Sequence, residues 1–379
     1  MPTSLHIAFV LNRLAGGGAE TQVRRLAPAL THRGHSVTII SLQPDVLTPS
    51  EFGDEQIMLL NLKGSSGFRA LATAPRLVRT LRSIQPDVIV SMMLPADPLA
   101  RIAARRTGLP LVSSIRNQYV GGRLPNALLC MTDAFASRVT ANAETTRRHL
   151  GPSIAKKPQD IQILPNIIDP RRYQASPEEA EQARADLDLP THSFLWLAVG
   201  AQRPQKNYLE LLRAFATLPE TASLAIAGAP YQEQLLQNEA QTLGVQERVR
   251  LLGRRSDIAA LLGACDGFVQ ASVHEGTPNA VLEAMAAARP VVATSAGDTP
   301  RLIAHDQTGW LVPVGDGPAL AQMMHHVMQL DPQERAKVAN GGLHYVETHH
   351  APESVTTNWE SLFFETVDAF HNTERRAGS

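Results

Sequence analysis

The strongest constraint on this chain is a repeated alternation of short, continuously apolar runs with stretches of helical spacing. Residues 5–11 form the first apolar run. After Gly16-Gly17-Gly18, residues 19–32 place Val23, Leu26, Ala27 and Leu30 at helical intervals, and Gly34 ends that helix. The rhythm continues with strands expected at 36–42, 56–62, 87–91 and 109–115, and helices at 68–84 and 96–107. It restarts further on. Strands are expected at 194–199, 223–227, 249–252, 267–271, 290–294 and 310–313. Helices are expected at 208–217, 232–243, 257–264, 278–287, 317–330, 332–349 and 354–371. Strands without polar alternation are buried on both faces, so the pattern predicts α/β architecture with parallel, doubly wound sheets.

Between the two series, residues 165–190 are rich in Pro and charge and carry one short helical run, 177–188. This divides the chain into domain 1–170, linker 171–190 and domain 191–353. A length of 379 residues suits two domains better than one core. A hydrophobic content of 44% with 19% charged residues excludes a disordered chain. Net charge is only −1, but residues 1–170 hold 19 Lys+Arg against 11 Asp+Glu, and the remainder holds 16 against 25. A basic first half favours an anionic partner. The basic residues lack interleaved aromatics, so nucleic acid is not expected.

Cys130 and Cys265 form neither a metal-ligand spacing nor a disulfide framework, which suits a reducing cytoplasm. No stretch approaches the ~20 apolar residues of a membrane span. The run 5–11 is too short and lacks a signal peptide's basic start and cleavage site, so it reads as a buried strand.

The most informative segment runs from Ser272 to Ala287, Ser-Val-His-Glu-Gly-Thr-Pro-Asn-Ala-Val-Leu-Glu-Ala-Met-Ala-Ala. Thr277 can cap a helix and Pro278 fits its first position. The amides of that first turn then form an anion site at the end of strand 267–271. Gly276 lets backbone approach a phosphate closely. Glu275 precedes the helix, and Glu283 lies about one and a half turns inside it. A carboxylate there suits sugar or ribose hydroxyls; the alternative is a solvated helix residue. The adjacent pairs His325-His326 and His349-His350 point in different directions on a helix and read as solvated surface. His274 reads equally as a donor contact or as loop surface. Arg69, Arg76, Arg79 and Arg82 read first as the polar face of a helix, and second as a face toward anionic lipid.

Glu275 and Glu283, with seven residues between them, resemble the Glu-x7-Glu signature of family 4 glycosyltransferases, the group 1 glycosyl transferases. Further segments extend the resemblance over most of the chain. Gly16-Gly17-Gly18-Ala19-Glu20 is similar to the family's glycine loop, and Pro165-Asn166-Ile167-Ile168-Asp169 to its Asn-Gly-x-Asp segment. Val199-Gly200 through Lys206-Asn207 is similar to its Gly-Arg-x4-Lys segment, and the end of strand 249–252 at Gly253 to its base-contacting strand. The resemblance implies a GT-B fold, two Rossmann-like doubly wound domains facing across a cleft. The last helix, about 354–379, would cross back to the first domain. It also implies retention of anomeric configuration and no need for a metal or other cofactor.

The resemblance further implies residue roles. Glu283 would bind the ribose hydroxyls and Glu275 the transferred sugar. Lys206 with the backbone around Gly276, Thr277, Asn279 and Ala280 would hold the diphosphate. Gly17 and Gly18 would approach the donor from the first domain, and Gly200 and Gly253 would line its site. Three positions depart from the family. Ala201 stands where Arg is usual, and Arg203 is the expected substitute. Arg116 replaces a frequent His and joins the catalytic set. Gly297-Asp298-Thr299-Pro300-Arg301 lacks the Glu of a Gly-Gly-x-x-Glu element. The expected protein is a cytoplasmic enzyme, peripheral on an anionic membrane surface. It would carry a sugar from a nucleotide-diphosphate donor, UDP-linked, to a glycan or lipid-linked acceptor such as a polysaccharide or lipopolysaccharide precursor. A small soluble acceptor, or a weakly catalytic binding subunit of a glycosyltransferase complex, are the rival readings.

Overall fold

The computed structural model describes residues 3–14, 18–43, 56–60, 74–92, 96–116, 129–150, 158–190 and 192–377. The chain divides into two compact units, Met1–Ile167 with Pro352–Ser379, and Ile168–Ala351. Gly16 and Gly17, and the expected helix before residue 74, lie outside the described residues.

The first unit runs β1 (His6–Leu11), α1 (Gly18–His32), β2 (Ser36–Ser41), β3 (Gln56–Leu59), α2 (Ala74–Ile84), β4 (Val88–Met92), α3 (Ala96–Thr107), β5 (Leu111–Ile115), β6 (Arg138–Ala141), α4 (Glu144–Leu150) and β7 (Gln162–Ile163). Its seven described strands lie in the order β3-β2-β1-β4-β5-β6-β7, all parallel. The second unit runs α5 (Pro177–Ala185), β8 (Phe194–Val199), α6 (Tyr208–Ala216), β9 (Ala222–Ala227), α7 (Glu233–Thr242), β10 (Val249–Gly253), α8 (Ile258–Ala264), β11 (Gly267–Gln270), α9 (Asn279–Ala286), β12 (Val291–Thr294), α10 (Thr299–Leu302), β13 (Trp310–Val312), α11 (Gly317–Gln329) and α12 (Pro332–His349). Its six strands lie in the order β10-β9-β8-β11-β12-β13, again all parallel. The final helix, α13 (Pro352–Ala377), belongs to the first unit.

The continuous apolar runs are explained by burial on both faces of each sheet. In β1, Ile7, Phe9 and Leu11 pack with α1 and with Trp359 and Phe363 of α13. The intervening Ala8 and Val10 pack with Leu77 of α2 and with Leu99 and Ala103 of α3. In β8, Trp196 and Ala198 face Phe215 and Met324, while Leu195 and Leu197 face Leu261, Leu282 and Met285.

Strands β6 and β7 and helix α4 are absent from the sequence-based expectation. Arg138 and Thr140 interrupt the apolar run of β6, and β7 has only two residues. The stretch 171–190, expected as a linker, is part of the second unit. Tyr173, Ala183 and Leu187 are buried in its core. Arg184 donates to the Ala264 carbonyl at 2.7 Å and pairs with Asp266 at 3.0 Å. Its Pro and charge content reflects the capping box at Ser176 and Glu179 rather than an exposed tether.

Helix α13 is anchored to the start of the first sheet by a buried histidine. The Leu5 N–H donates to His35 Nδ1 at 3.1 Å, which leaves the proton on Nε2 to meet Glu360 Oε1 at 2.8 Å. Arg33 donates to the other Glu360 oxygen at 2.9 Å. Burial by itself would raise the Glu360 carboxyl, but the bonds from His35 and Arg33 outweigh it and hold the group below its ordinary value of 4.5. A carboxyl lowered on folding stabilises the fold above its unfolded value, and that contribution is lost as pH falls through the folded value. Wild-type melting temperature should therefore fall more steeply than that of Glu360→Gln between about pH 5 and pH 3. Parallel melting curves over that range would refute the assignment.

Candidate active site

In the second sheet β8 pairs with β9 on one side and β11 on the other, so the strand order reverses between β8 and β11. Crevices at such a switch point, outside the carboxyl ends of the strands, are the ligand sites of doubly wound sheets. The loops leaving β8, β11 and β12 meet there. The Val273 N–H donates to the Gln205 carbonyl at 2.9 Å, tying the β11 loop to the β8 loop. The Asp298 N–H donates to the Gly276 carbonyl at 3.0 Å, tying in the β12 loop.

Within this junction Lys206 Nζ lies 2.6 Å from Glu275 Oε1, with both side chains largely buried. The Ser272 hydroxyl donates to the same carboxylate oxygen at 2.7 Å, and the Thr294 hydroxyl holds the Ser272 carbonyl at 2.6 Å. The Tyr208 hydroxyl donates to the Gly200 carbonyl at 3.0 Å. Burial, reinforced by Glu275, pushes its ionisation well above the ordinary range, so it acts as a fixed donor. Helix α9 begins at Asn279, and its first internal bond runs from Leu282 N–H to the Pro278 carbonyl at 3.3 Å. The amides before it point out of the helix start and carry the positive end of its dipole. The arrangement combines a cation, a carboxylate and a helix start, the groups needed to hold a phosphorylated sugar.

Two glycines let the loops converge. A Cβ on Gly228, after β9, would stand 1.8 Å from the Gly200 carbonyl oxygen. A Cβ on Gly297, whose φ is +60°, would stand 2.1 Å from the Glu275 carbonyl oxygen.

The structure brings together Lys206, Glu275, Gly276 and Gly200 from the sequence-based set. Thr277 does not occupy the cap. The helix starts one residue later than expected: Pro278, with φ of −74° and ψ of 106°, is extended backbone at the N-cap position, and its side chain has no acceptor to make a cap bond. Asn279 and Ala280 open the first turn, and Glu283 is half-buried in the second. Gly253 ends β10, and its carbonyl accepts from the Gly228 N–H at 2.7 Å. Arg203 is exposed, with its guanidinium over the Tyr231 ring, 5.0 Å from the centroid. Gly18 begins α1, and Gly17 lies outside the described residues. Sequence reasoning missed Ser272, Tyr208 and Gly228. A glycine directly after an apolar strand was the available signal for Gly228; the other two act through hydrogen bonds within their own strand-to-helix connections, Ser272 to Glu275 and Tyr208 to Gly200.

In the first unit, Arg116 follows β5 and is nine-tenths buried. It donates to Asn166 Oδ1, which also receives the Asn142 amide at 3.5 Å. Burial pulls its ionisation down to about 10, so it stays charged at neutral pH. The segment after β7 is further clamped by α1. Gln22 accepts from the Ile167 N–H at 2.6 Å, and Arg25 donates to the Ile167 carbonyl at 3.1 Å.

Two parallel, doubly wound units with this junction at the second sheet's switch point define a GT-B glycosyltransferase architecture. In agreement, Anabaena HepE crystallised with UDP superimposes with a TM-score of 0.84 at 22% identity, covering 95% of this chain and 99% of that one. WaaG, a glycosyltransferase involved in lipopolysaccharide biosynthesis, superimposes with a TM-score of 0.70 at 20% identity, covering 92% and 98%. Residues 16–172 match the family model described as Glycosyltransferase Family 4, and residues 193–329 the one described as Glycosyl transferases group 1. The chain belongs to this glycosyltransferase family. Among its relatives is the lipopolysaccharide core biosynthesis glycosyltransferase LpsD of Rhizobium meliloti (strain 1021). It is 27% identical over 288 residues, 76% of this chain and 78% of the relative. The UDP-Gal:alpha-D-GlcNAc-diphosphoundecaprenol alpha-1,3-galactosyltransferase of Escherichia coli is 24% identical over 254 residues, 63% of this chain and 66% of the relative.

Proposed function

We propose that this glycosyltransferase moves a hexosyl or N-acetylhexosaminyl group, with retention and without a metal, from a UDP-linked donor to a lipid-linked, polysaccharide or lipopolysaccharide precursor. The Lys206–Glu275 pair at the switch point, beside the start of α9, carries this reading. Departure of the nucleotide builds negative charge on its distal phosphate. Lys206 and the α9 amides supply fixed positive charge there, and Arg203 adds a second cation on leaving Tyr231, which lowers the barrier without a metal. Glu275 holds the transferred sugar and Glu283 the ribose. The relatives support the donor and acceptor classes, since one is named for UDP-Gal and a diphosphoundecaprenol-linked sugar.

An inner-membrane-face, peripheral location follows from such an acceptor. Helix α2 carries exposed Arg76, Arg79 and Arg82 and no acidic residue, a face suited to anionic lipid. No helix among the described residues is long and apolar enough to cross a membrane. The test is release of nucleoside diphosphate from UDP-sugars by the purified chain, with and without undecaprenyl-diphosphate-linked sugars. Acceptor-dependent release is expected; no release above blank with any nucleotide sugar would overturn the reading. Glu283→Ala should raise the donor's KM by about tenfold or more, because a charge-assisted hydrogen bond contributes on the order of 1.5–3 kcal/mol. An unchanged KM in a folded variant would remove Glu283 from the site.

A further inference from the structure

Among its described residues, the first unit contains a buried cation without a counter-ion. The two strongly buried arginines among those residues differ in this respect. Arg101 lies 2.9 Å from Asp97 and also donates to the Leu129 carbonyl and the Ser113 hydroxyl, both at 2.9 Å. Arg116, nine-tenths buried, has Asn166 as its hydrogen-bond partner and contacts no carboxylate among the described residues. Withdrawing a guanidinium from water without an opposite charge is costly. Its planar fork has five donors, of which a single amide oxygen engages few.

The surroundings also favour an anion. Ser114 lies two residues before Arg116, on the same side of β5 by strand alternation. It is in register with Thr140 of β6. The Ser114 and Thr140 hydroxyls are buried and have no hydrogen-bond partner among the described residues. Buried hydroxyls are normally satisfied. A track of donors, free of carboxylates among the described residues, thus leads to the guanidinium at the carboxyl end of β5. This is where a doubly wound sheet presents its ligands.

We propose that Arg116 binds an oxyanion, a phosphate or carboxylate carried by the acceptor. This rests on the reading that the first unit holds the acceptor. Planar, bidentate engagement of such a group is what guanidinium does better than ammonium. In the transfer reaction Arg116 would select acidic acceptors and fix their orientation.

Inorganic phosphate serves as the probe, titrated calorimetrically into the full chain and into Arg116→Gln, Arg116→Lys and Lys206→Ala. Phosphate affinity should fall about tenfold or more in Arg116→Gln, recover in part in Arg116→Lys, and survive in Lys206→Ala. Phosphate should also raise the melting temperature of the wild type and not that of Arg116→Gln. Without phosphate, Arg116→Gln should melt at or above the wild-type temperature, since it removes an uncompensated buried charge. A loss confined to Lys206→Ala would place the phosphate in the second unit and overturn the proposal. So would unchanged phosphate affinity in Arg116→Gln accompanied by weaker binding of a UDP-hexuronate, which would assign the guanidinium to a donor carboxylate. The titration needs no donor and no turnover, so its outcome is separable from that of the glycosyltransferase assay.

Discussion

Lys206→Ala is expected to lower turnover by about 100-fold or more, the scale set by removing one charge-stabilising donor from a transition state. Lys206 is the cation held in the junction of the β8 and β11 loops, at 2.6 Å from Glu275. In the proposed transfer, the leaving diphosphate develops more charge than one ammonium balances, and Ala201 contributes none. Arg203 lies in the same loop, three residues earlier, where Pro204 opens the short turn that carries Lys206. Its guanidinium sits over Tyr231, an attraction of about 0.5–1 kcal/mol at an exposed site, small enough for a diphosphate to draw it away. Arg203→Ala should then cost roughly 100-fold as well, and Ala201→Arg in that background should restore part of it. Near-full turnover in Arg203→Ala, with Lys206→Ala inactive, would leave Lys206 acting with the α9 amides alone.

Gly297→Ala should damage the site through the backbone. At φ +60° an L side chain is strained, and the added methyl would lie 2.1 Å from the Glu275 carbonyl oxygen and 2.9 Å from that of Gly276. Neither obstacle is a side chain that could swing aside. Overpacking of this kind costs about 1–3 kcal/mol, and the left-handed backbone adds about another 1 kcal/mol. The strain falls on the loop that presents Glu275, so donor affinity should drop together with melting temperature. The matched control is Gly244→Ala. Gly244 is also left-handed, with φ +70°, but has nothing within 4 Å of the added methyl. It should lose stability only, with donor affinity intact. Equal donor affinity in the two variants would show that contact with Glu275 is unimportant.

Much of this architecture was legible because burial on both sheet faces writes itself into sequence as uninterrupted apolar runs, as in β1 and β8. Strand β6 escaped because Arg138 and Thr140 break its run, although Thr140 is wholly buried. Composition misread 171–190, where a few apolar residues such as Leu187 decide the packing and the many charged ones do not. In the site, the strand ends of β8 and β11 marked the loops that carry Lys206 and Glu275, while Glu283 lies beyond its loop, inside α9. The helix start was misplaced by one residue, since a Thr-Pro pair satisfies both the cap and first-turn preferences while extended backbone persists through Pro278. The Gly228 and Gly297 approaches depend on loops from separate strands converging. No local pattern encodes that convergence.

Calorimetric titration of UDP into the full chain, with Lys206→Ala and Glu283→Ala in parallel, tests most directly whether the second unit's switch point is the donor site. The wild type should bind UDP, and each variant should bind about tenfold or more weakly while melting as a folded protein. UDP binding that is equally strong in all three proteins would contradict the account.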